Sequence, residues 1–346
     1  ELAAQDRLLA GTMDSWLIWN LSGRKAHVTD STNASRTLLV DIRTGEYAPD
    51  MLELFGVPAA ILPKIVPSSG IAAYLDEAIL PGNIPIAGIA GDQQAALFGQ
   101  ACFTPGMVKN TYGTGCFIVM QTGREPVFSQ NGLLTTIAYD LGSGPVYALE
   151  GSVFNSGSAI QWLRDELEII TTSSECDRLA EQVADTGGIH FVPAFTGLGA
   201  PYWSPDARGT ITGITRGTNK AHLARAVLEA IAFQSYEVIE LMAADADCSI
   251  TELRADGGAS VSEFLMQFQS DLLNIPVDRP QNVETTAFGA AALAGLAVGF
   301  YPDLAAISAS RESARVFKPQ HDSAWQQDKL AGWRHAVATA IADSQL

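Results

Sequence analysis

The sequence predicts an α/β protein with two related halves, and two segments carry this prediction. In residues 84–99 an apolar strand breaks at Gly91, and Ala, Leu and Phe then recur at helical spacing after Asp92. Residues 250–273 repeat this order, with a short apolar run that reaches Asp256 and a periodic apolar segment after it. The first unit places Asp92 at the rim of a sheet, where α/β proteins bind ligands.

Asp92 has a simpler interpretation as the cap of the helix that follows it. An Asp at a helix start accepts hydrogen bonds from N–H groups that have no partner within the helix. The second strand–acid–helix unit weighs against this interpretation because it makes the pattern a repeat. We therefore treat Asp92 as the leading candidate for a functional carboxylate.

Residues 107–120 predict a β-hairpin, in which two apolar runs flank the turn Gly113-Thr114-Gly115. Glycines let the main chain approach an anion, and successive N–H groups can surround phosphate oxygens. Most such turns only connect strands. The position of this one between the two strand–acid–helix units favours phosphate binding.

A helix is predicted over residues 158–169, because Ile160, Leu163 and Leu167 fall on one face. Gly157 precedes it, and we expect backbone N–H groups at this start to be free near a nucleotide. The alternative for Gly157 is a simple turn before the helix.

Three further helical segments complete the chain. Residues 221–243 predict a long core helix, and residues 287–300 predict a buried helix capped by Thr285 or Thr286 and packed closely through its glycines, Gly289, Gly295 and Gly299. Residues after Pro302, with Trp325 and Trp333, predict terminal helices on the outside.

Composition and charge disfavour two classes of partner. The chain has 346 residues, enough for two domains, and 47% of them are hydrophobic. Its 21 Lys and Arg against 38 Asp and Glu give a net charge of −17, which disfavours nucleic acid and anionic membrane surfaces. ATP remains possible if Mg²⁺, backbone N–H groups and helix N-termini meet its phosphates.

Location is predicted from the cysteines and from apolar segment lengths. The four cysteines show no Cys-x-x-Cys spacing, which favours a reducing cytoplasm, and the scattered histidines form no metal set. Residues 287–300 are too short to span a membrane. Residues 1–11 lack the regions of a signal peptide.

Two short motifs occur together in this chain, Asn-Ala-Ser-Arg-Thr at 33–37 and Gly-Asp-Gln-Gln at 91–94. Further distinctive segments are residues 29–32, 110–115, 193–203, 209–214, 222–229 and 256–259. Through these segments the chain resembles the FGGY family of carbohydrate kinases over nearly its whole length. Within that family it resembles the glycerol kinases, because sugar kinases of the family usually lack the two motifs in combination.

This resemblance implies an actin-like ATPase fold, in which two RNase H-like domains close on Mg-ATP and substrate. Family members begin with a first phosphate loop that does not precede Glu1 here. We therefore expect the first domain to be only partly present. Residues 1–100 would be the C-terminal part of the N-terminal domain, 101–300 the ATP-binding C-terminal domain and 301–346 a terminal helical segment.

The resemblance also implies the reaction: ATP and glycerol give ADP and sn-glycerol 3-phosphate. Asp92 would be the general base for the attacking hydroxyl and a contact of Mg²⁺, which suits a reaction dominated by positioning and electrostatics. Gln93 would hydrogen-bond glycerol, and Phe117 would cover its carbon face. Ser31 stands where some members have a glycerol-binding Tyr, so that contact is shortened or lost.

The nucleotide side of the site follows from the same resemblance. Thr114 would reach the transferring phosphate, Gly157 and Gln161 would line the nucleoside side, and Gly258 would lie against the adenosine, where any Cβ would intrude. Ser262 replaces an adenosine-binding Asn.

Two other functions stay open. One is another FGGY sugar or polyol kinase. The other is a non-catalytic, truncated actin-like fold that binds nucleotide weakly or serves as an interaction module. For the glycerol kinase itself, the activity of this chain alone stays open, because the resemblance implies a first phosphate loop that the sequence does not show. For a kinase of this family we expect glycerol and ATP/ADP as partners and a homo-oligomer, a dimer or a tetramer.

Overall fold

The computed structural model describes residues 2–5 and 7–344. The outer ends of the predicted segments 1–100 and 301–346 therefore lie outside the described residues. Alternating strands and helices along the chain confirm the α/β class. No helix in the described part of the chain combines the length and apolar composition needed to cross a bilayer.

The strands are β1 Val28–Asp30, β2 Val40–Asp41, β3 Glu46–Tyr47, β4 Lys64–Val66, β5 Ser69–Tyr74, β6 Pro85–Gly88, β7 Val108–Tyr112, β8 Cys116–Gly123, β9 Leu134–Asp140, β10 Pro145–Val153, β11 His190–Val192, β12 Thr210–Thr212, β13 Leu253–Asp256, β14 Val277–Pro280 and β15 Ser313–Phe317. The α-helices are α1 Met13–Leu21, α2 Ser31–Ala34, α3 Pro49–Phe55, α4 Asp92–Gly99, α5 Gly157–Asp165, α6 Ser173–Ala180, α7 Lys220–Ala246, α8 Glu263–Leu273, α9 Thr285–Ala297, α10 Leu304–Ser310 and α11 Ser323–Asp343. Short 3₁₀ turns cover Ala3–Gln5, Ala59–Ile61 and Gly258–Val261.

A mixed sheet of seven strands forms the centre of the molecule, in the order β15-β14-β13-β7-β8-β10-β9. Strand β13 runs parallel to both of its neighbours, and Asp256 at its end lies opposite Thr111 of β7. The predicted hairpin of residues 107–120 is present as the antiparallel pair β7 and β8. The hairpin and the second strand–acid–helix unit are thus adjacent in one sheet.

The first strand–acid–helix unit forms as predicted, but outside this sheet. Strand β6 pairs with β5 in a sheet of its own, and α4 begins at Asp92. Helix α4 lies close to α9. A Cβ on Gly99 would come within 2.1 Å of the Thr285 carbonyl oxygen, and one on Gly289 within 1.8 Å of the Ala95 oxygen. Glycine at these two positions is what lets the helices approach so closely.

The end of α9 differs from the prediction. The helix stops at Ala297, so Gly299 lies beyond it, where an added Cβ would meet no atom within 4 Å. The predicted cap is also wrong, since Glu284 occupies the N-cap position. The Thr285 hydroxyl instead donates to Asp256, 2.7 Å away. The Thr285 side chain, which the local pattern assigned to the helix cap, therefore hydrogen-bonds a residue far away in the sequence instead.

Helix α5 is shorter than the predicted segment 158–169. Ile160 and Leu163 are buried as expected, but Leu167 is exposed and Glu168 has a φ of 54°. The chain turns out of the helix after Asp165. The apolar periodicity predicted the buried face of α5 correctly but not the residue at which the helix ends.

The segment after Pro302 is not confined to the outside. Strand β15 forms an edge of the central sheet. Trp333 of α11 is 1% exposed and stacks on Phe233 of α7, with ring centroids 5.2 Å apart. The expectation of an external Trp333 is therefore wrong, because α11 closes the same core that α7 fills.

Candidate active site

Two residues from an earlier part of the chain, Thr32 and Asp30, hold the turn that carries Asp92. The Gly91 N–H donates to the Thr32 hydroxyl at 2.8 Å, and that hydroxyl donates to the buried Asp30 carboxylate at 2.9 Å. Gly91 is the N-cap of α4, so Asp92 does not cap the helix. Asp92 is exposed, and one of its oxygens accepts the Gln93 N–H at 2.8 Å. The carboxylate remains accessible to a ligand.

A buried lysine, Lys109, to which the sequence analysis gave no role, hydrogen-bonds both Gln93 and Phe117, and Gln93 also hydrogen-bonds Asp92. The Lys109 ammonium donates to the Gln93 side-chain oxygen, to the Thr111 hydroxyl at 2.9 Å and to the Phe117 carbonyl at 3.2 Å. Gln93 in turn donates through Nε2 to Asp92 at 3.3 Å. Three of the four residues expected to contact substrate thus form one cluster.

A signal for Lys109 exists in the sequence. It is the only charged residue in the predicted hairpin segment 107–120. An unpaired charge in such a strand would be costly, so its presence predicts buried partners.

Ser31, the fourth expected substrate contact, lies apart from this cluster. It begins α2, is 7% exposed and donates to the Val66 carbonyl at 3.4 Å. Within the described ranges it shares no hydrogen bond with Asp92, Gln93 or Phe117. A role for Ser31 in binding substrate stays a prediction.

All five residues expected to bind nucleotide line one cavity of about 450 Å³. They come from the hairpin tip, from α5 and from the 3₁₀ turn after β13, and are Thr114, Gly157, Gln161, Gly258 and Ser262. An added Cβ on Gly258 would meet no protein atom within 4 Å, so this glycine borders open space. The cavity is where the resemblance placed the nucleotide.

Glycine is required at the junction of α5 and the hairpin. A Cβ on Gly157 would lie 2.6 Å from the Gly113 carbonyl oxygen. The expectation of free N–H groups at this helix start is wrong. Gly157 donates to Gly113 at 2.9 Å, and Ser158 to Thr114 at 3.1 Å. These donors fix the hairpin tip and are not available to phosphate.

Asp177 of α6 is a further cavity residue that sequence reasoning missed. Its carboxylate accepts the hydroxyl of Ser262, which is 4% exposed. Burial raises the pKa of the Asp177 carboxyl above its usual value, and the bond from Ser262 opposes this shift. No local motif marks Asp177, because its partner is 85 residues away along the chain.

The buried charges of the site are held by one ion pair and by hydrogen bonds to neutral groups, as burial requires. Arg36, from the 33–37 motif, forms an ion pair of 2.9 Å with Glu150, which is 4% exposed. Burial lowers the pKa of Lys109, and the negative charges of Asp256, Glu150 and Asp92 act in the opposite direction. A strongly acidic chain thus surrounds one buried ammonium beside Asp92.

Two family models match the chain. The N-terminal domain of the FGGY family of carbohydrate kinases matches residues 2–99, and the C-terminal domain of that family matches residues 108–298. A glycerol kinase of Acidovorax sp. (strain JS42) is 54% identical over 345 residues, which cover 99% of this chain and 69% of the relative. Glycerol kinase 2 of Thermotoga maritima is 52% identical over 341 residues, with 99% and 69% covered.

Solved structures agree in fold. The glycerol kinase of Plasmodium falciparum with ADP superposes with a TM-score of 0.93 at 38% identity, covering 98% of this chain and 68% of that one. A ligand-bound xylulose kinase from Lactobacillus acidophilus gives 0.83 at 24% identity, with 95% and 67% covered, which supports the fold alone. The fold is the two-domain, actin-like ATPase fold of these kinases. The chain therefore belongs to the FGGY family of carbohydrate kinases.

Proposed function

We propose that this chain transfers the terminal phosphoryl group of ATP to glycerol, giving ADP and sn-glycerol 3-phosphate. The observation that carries the proposal is the identity of 54% to a glycerol kinase over 99% of the chain. The similarity in structure to a glycerol kinase with ADP supports the choice of nucleotide.

The geometry suits this reaction. Asp92 is exposed and accepts a proton from the attacking hydroxyl of glycerol while the glycerol oxygen bonds to phosphorus. Gln93 hydrogen-bonds a second hydroxyl, and Phe117, which is 39% exposed, covers the carbon skeleton. Because phosphoryl transfer has a loose transition state, holding the hydroxyl in line contributes more than a strong base would.

The nucleotide occupies the 450 Å³ cavity in this proposal. Thr114 approaches the phosphates from the hairpin tip, Gly157 and Gln161 line the nucleoside side, and Gly258 leaves room for the adenosine. Ser262 offers one hydroxyl that Asp177 already orients.

Mg²⁺ fits the site only as part of the nucleotide complex. Among residues 2–5 and 7–344, no group of three or more His, Cys, Asp or Glu side chains is arranged to hold a metal ion. Mg²⁺ usually takes one or two carboxylates plus phosphate oxygens, so Asp92 is its candidate protein contact. Bound Mg²⁺ would neutralise charge on the phosphates. A cytoplasmic location and assembly into a dimer or tetramer belong to the same proposal.

The test is ADP release from Mg-ATP with glycerol, and with xylulose as the competing substrate class. We expect turnover with glycerol and a product that glycerol-3-phosphate dehydrogenase oxidises, which identifies the sn-3 isomer. Turnover with xylulose alone would transfer the function to another sugar kinase. ATP binding without turnover of any polyol would support the non-catalytic alternative.

A further inference from the structure

Lys109 is a buried cation that the proposed reaction does not use. Its side chain is fully buried, at 0% exposure, in the middle of the central sheet. Removing an ammonium group from water costs several kcal/mol unless its donors are satisfied and opposite charges are near. A methionine of similar length would fill the same space without this cost. The charge at position 109 therefore needs an explanation beyond packing.

The contacts of Lys109 join the two sides of the substrate cluster. One donor reaches Gln93 at the start of α4, and another reaches the main-chain oxygen of Phe117 on β8, 3.2 Å away. The third reaches Thr111 on its own strand at 2.9 Å. Helix α4 and strand β8 belong to different units of the fold, and Lys109 fixes one against the other.

The ammonium group also decides which way the Gln93 amide faces. An amide can present either its oxygen or its NH₂ to a neighbour, but an ammonium group only donates. Gln93 must therefore turn its oxygen to Lys109, and its NH₂ then points to Asp92, with Nε2 3.3 Å from the carboxylate oxygen. The opposite Asp92 oxygen accepts the Gln93 main-chain N–H at 2.8 Å. Gln93 thus holds the carboxylate by both of its oxygens.

We propose that Lys109 is a positioning residue for phosphoryl transfer. It sets the orientation of the Gln93 amide and the position of the Phe117 main chain, and through Gln93 it holds Asp92 in the orientation that receives the proton. This inference rests on the proposed function, since it assigns Asp92 as the base. Lys109 acts through its neighbours and transfers no proton itself.

The test compares the wild-type chain with Lys109→Met, and with Lys318→Met as a control at an exposed lysine. We expect Lys109→Met to lower kcat for glycerol phosphorylation about 10- to 100-fold, the range that misplacement of reacting groups produces. The KM for ATP stays unchanged, because the nucleotide cavity does not include residue 109. All assays are run well below the melting temperature of each variant, which separates positioning from loss of folded protein.

A second readout does not depend on turnover. The ¹⁵N–¹H signals of the Gln93 side-chain amide, assigned by their loss in Gln93→Ala, should shift in Lys109→Met and not in Lys318→Met. Unchanged kcat together with unchanged Gln93 signals would overturn the proposal, even if Lys109→Met melts earlier. If the wild-type chain phosphorylates no glycerol, the proposed function fails, and the Gln93 signals still decide whether Lys109 orients this amide.

Discussion

Asp92 and Asp256 each follow a short apolar strand, yet their surroundings differ. Asp92 is exposed at the first turn of α4, where its hydrogen bonds are to Gln93. Asp256 is 1% exposed and accepts from Gln100 and Thr285, each at 2.7 Å. The same local pattern therefore produces an accessible carboxylate in one unit and a buried junction in the other.

The partners of Asp256 explain what the buried acid does. Gln100 lies at the C-terminal end of α4, and Thr285 is the first residue of α9. Asp256 thus joins both helices to the end of β13, and α4 is the helix that begins with Asp92. The buried Asp256 thus stabilises the position of α4, the helix whose first turn carries the exposed Asp92. The comparison predicts that changing Asp92 alters activity, whereas changing the contacts of Asp256 alters stability.

The largest expected effect tests the exposed acid. Asp92→Asn keeps the size of the side chain and removes its ability to take a proton, so we expect kcat to fall about 10²- to 10⁴-fold, the usual contribution of a general base. The midpoint of urea unfolding should not change, because Asp92 is exposed. Steady-state ADP release and urea titration measure the two quantities.

Asp50→Asn is the matched control for this prediction. Asp50 is also an exposed Asp in the first turn of a helix, α3. Its substitution should leave kcat at the wild-type level. A kcat for Asp92→Asn close to that of Asp50→Asn would mean that Asp92 is not the base. Asp92 and Asp256 would then differ only in exposure.

The second prediction uses two neighbouring glycines that follow the buried acid. Gly257 has a φ of 85°, and a Cβ there would lie 2.7 Å from the Tyr112 carbonyl oxygen. Gly257→Ala should therefore lower the free energy of unfolding by about 2 kcal/mol. Gly258→Ala, whose Cβ would enter the open cavity, should leave stability unchanged and raise the KM for ATP. Urea unfolding and ATP titration of both variants separate the two outcomes.

The two glycines serve as controls for each other. Equal destabilisation in both variants would show that position 258 is also packed against protein. An unchanged KM for ATP in Gly258→Ala would exclude this glycine from the nucleotide site. The expected nucleotide contacts would then be on the hairpin side of the cavity, where Thr114 lies.

Local sequence patterns predicted much of the fold but only part of the site. The strand before Asp92, the hairpin at 107–120 and the start of α4 follow from periodicity and glycine positions, which act over a few residues. The burial of Asp256 and the bond between Asp177 and Ser262 depend on residues far apart in the chain, and no local pattern encodes them. Local pattern had already indicated Thr114 and Gly157 for the nucleotide, whereas Gln161, Gly258 and Ser262 were reachable only through the family resemblance.

The donors at the start of α5 show the same limit. Gly157 was expected to expose N–H groups, because the first turn of any helix has donors without partners inside the helix. The hairpin tip supplies carbonyl oxygens for them instead. Which partner satisfies a helix end is a property of the tertiary structure, and the sequence pattern shows only that a partner is needed.

The smallest expected effect tests the junction at Asp256 by removing one hydrogen bond. Thr285→Val keeps the shape of the side chain and deletes the hydroxyl that donates to Asp256, while Gln100 still contacts the same carboxylate oxygen. We expect a loss of about 1 kcal/mol in the free energy of unfolding, typical of one buried hydrogen bond. Thr286→Val is the matched control, because Thr286 is exposed in the same helical turn and has the same change in helix propensity. Urea unfolding of the two variants should differ by this amount with equal m values. Equal stability of the two variants would show that Asp256 does not join α9 to β13 energetically, so that burial alone would distinguish it from Asp92.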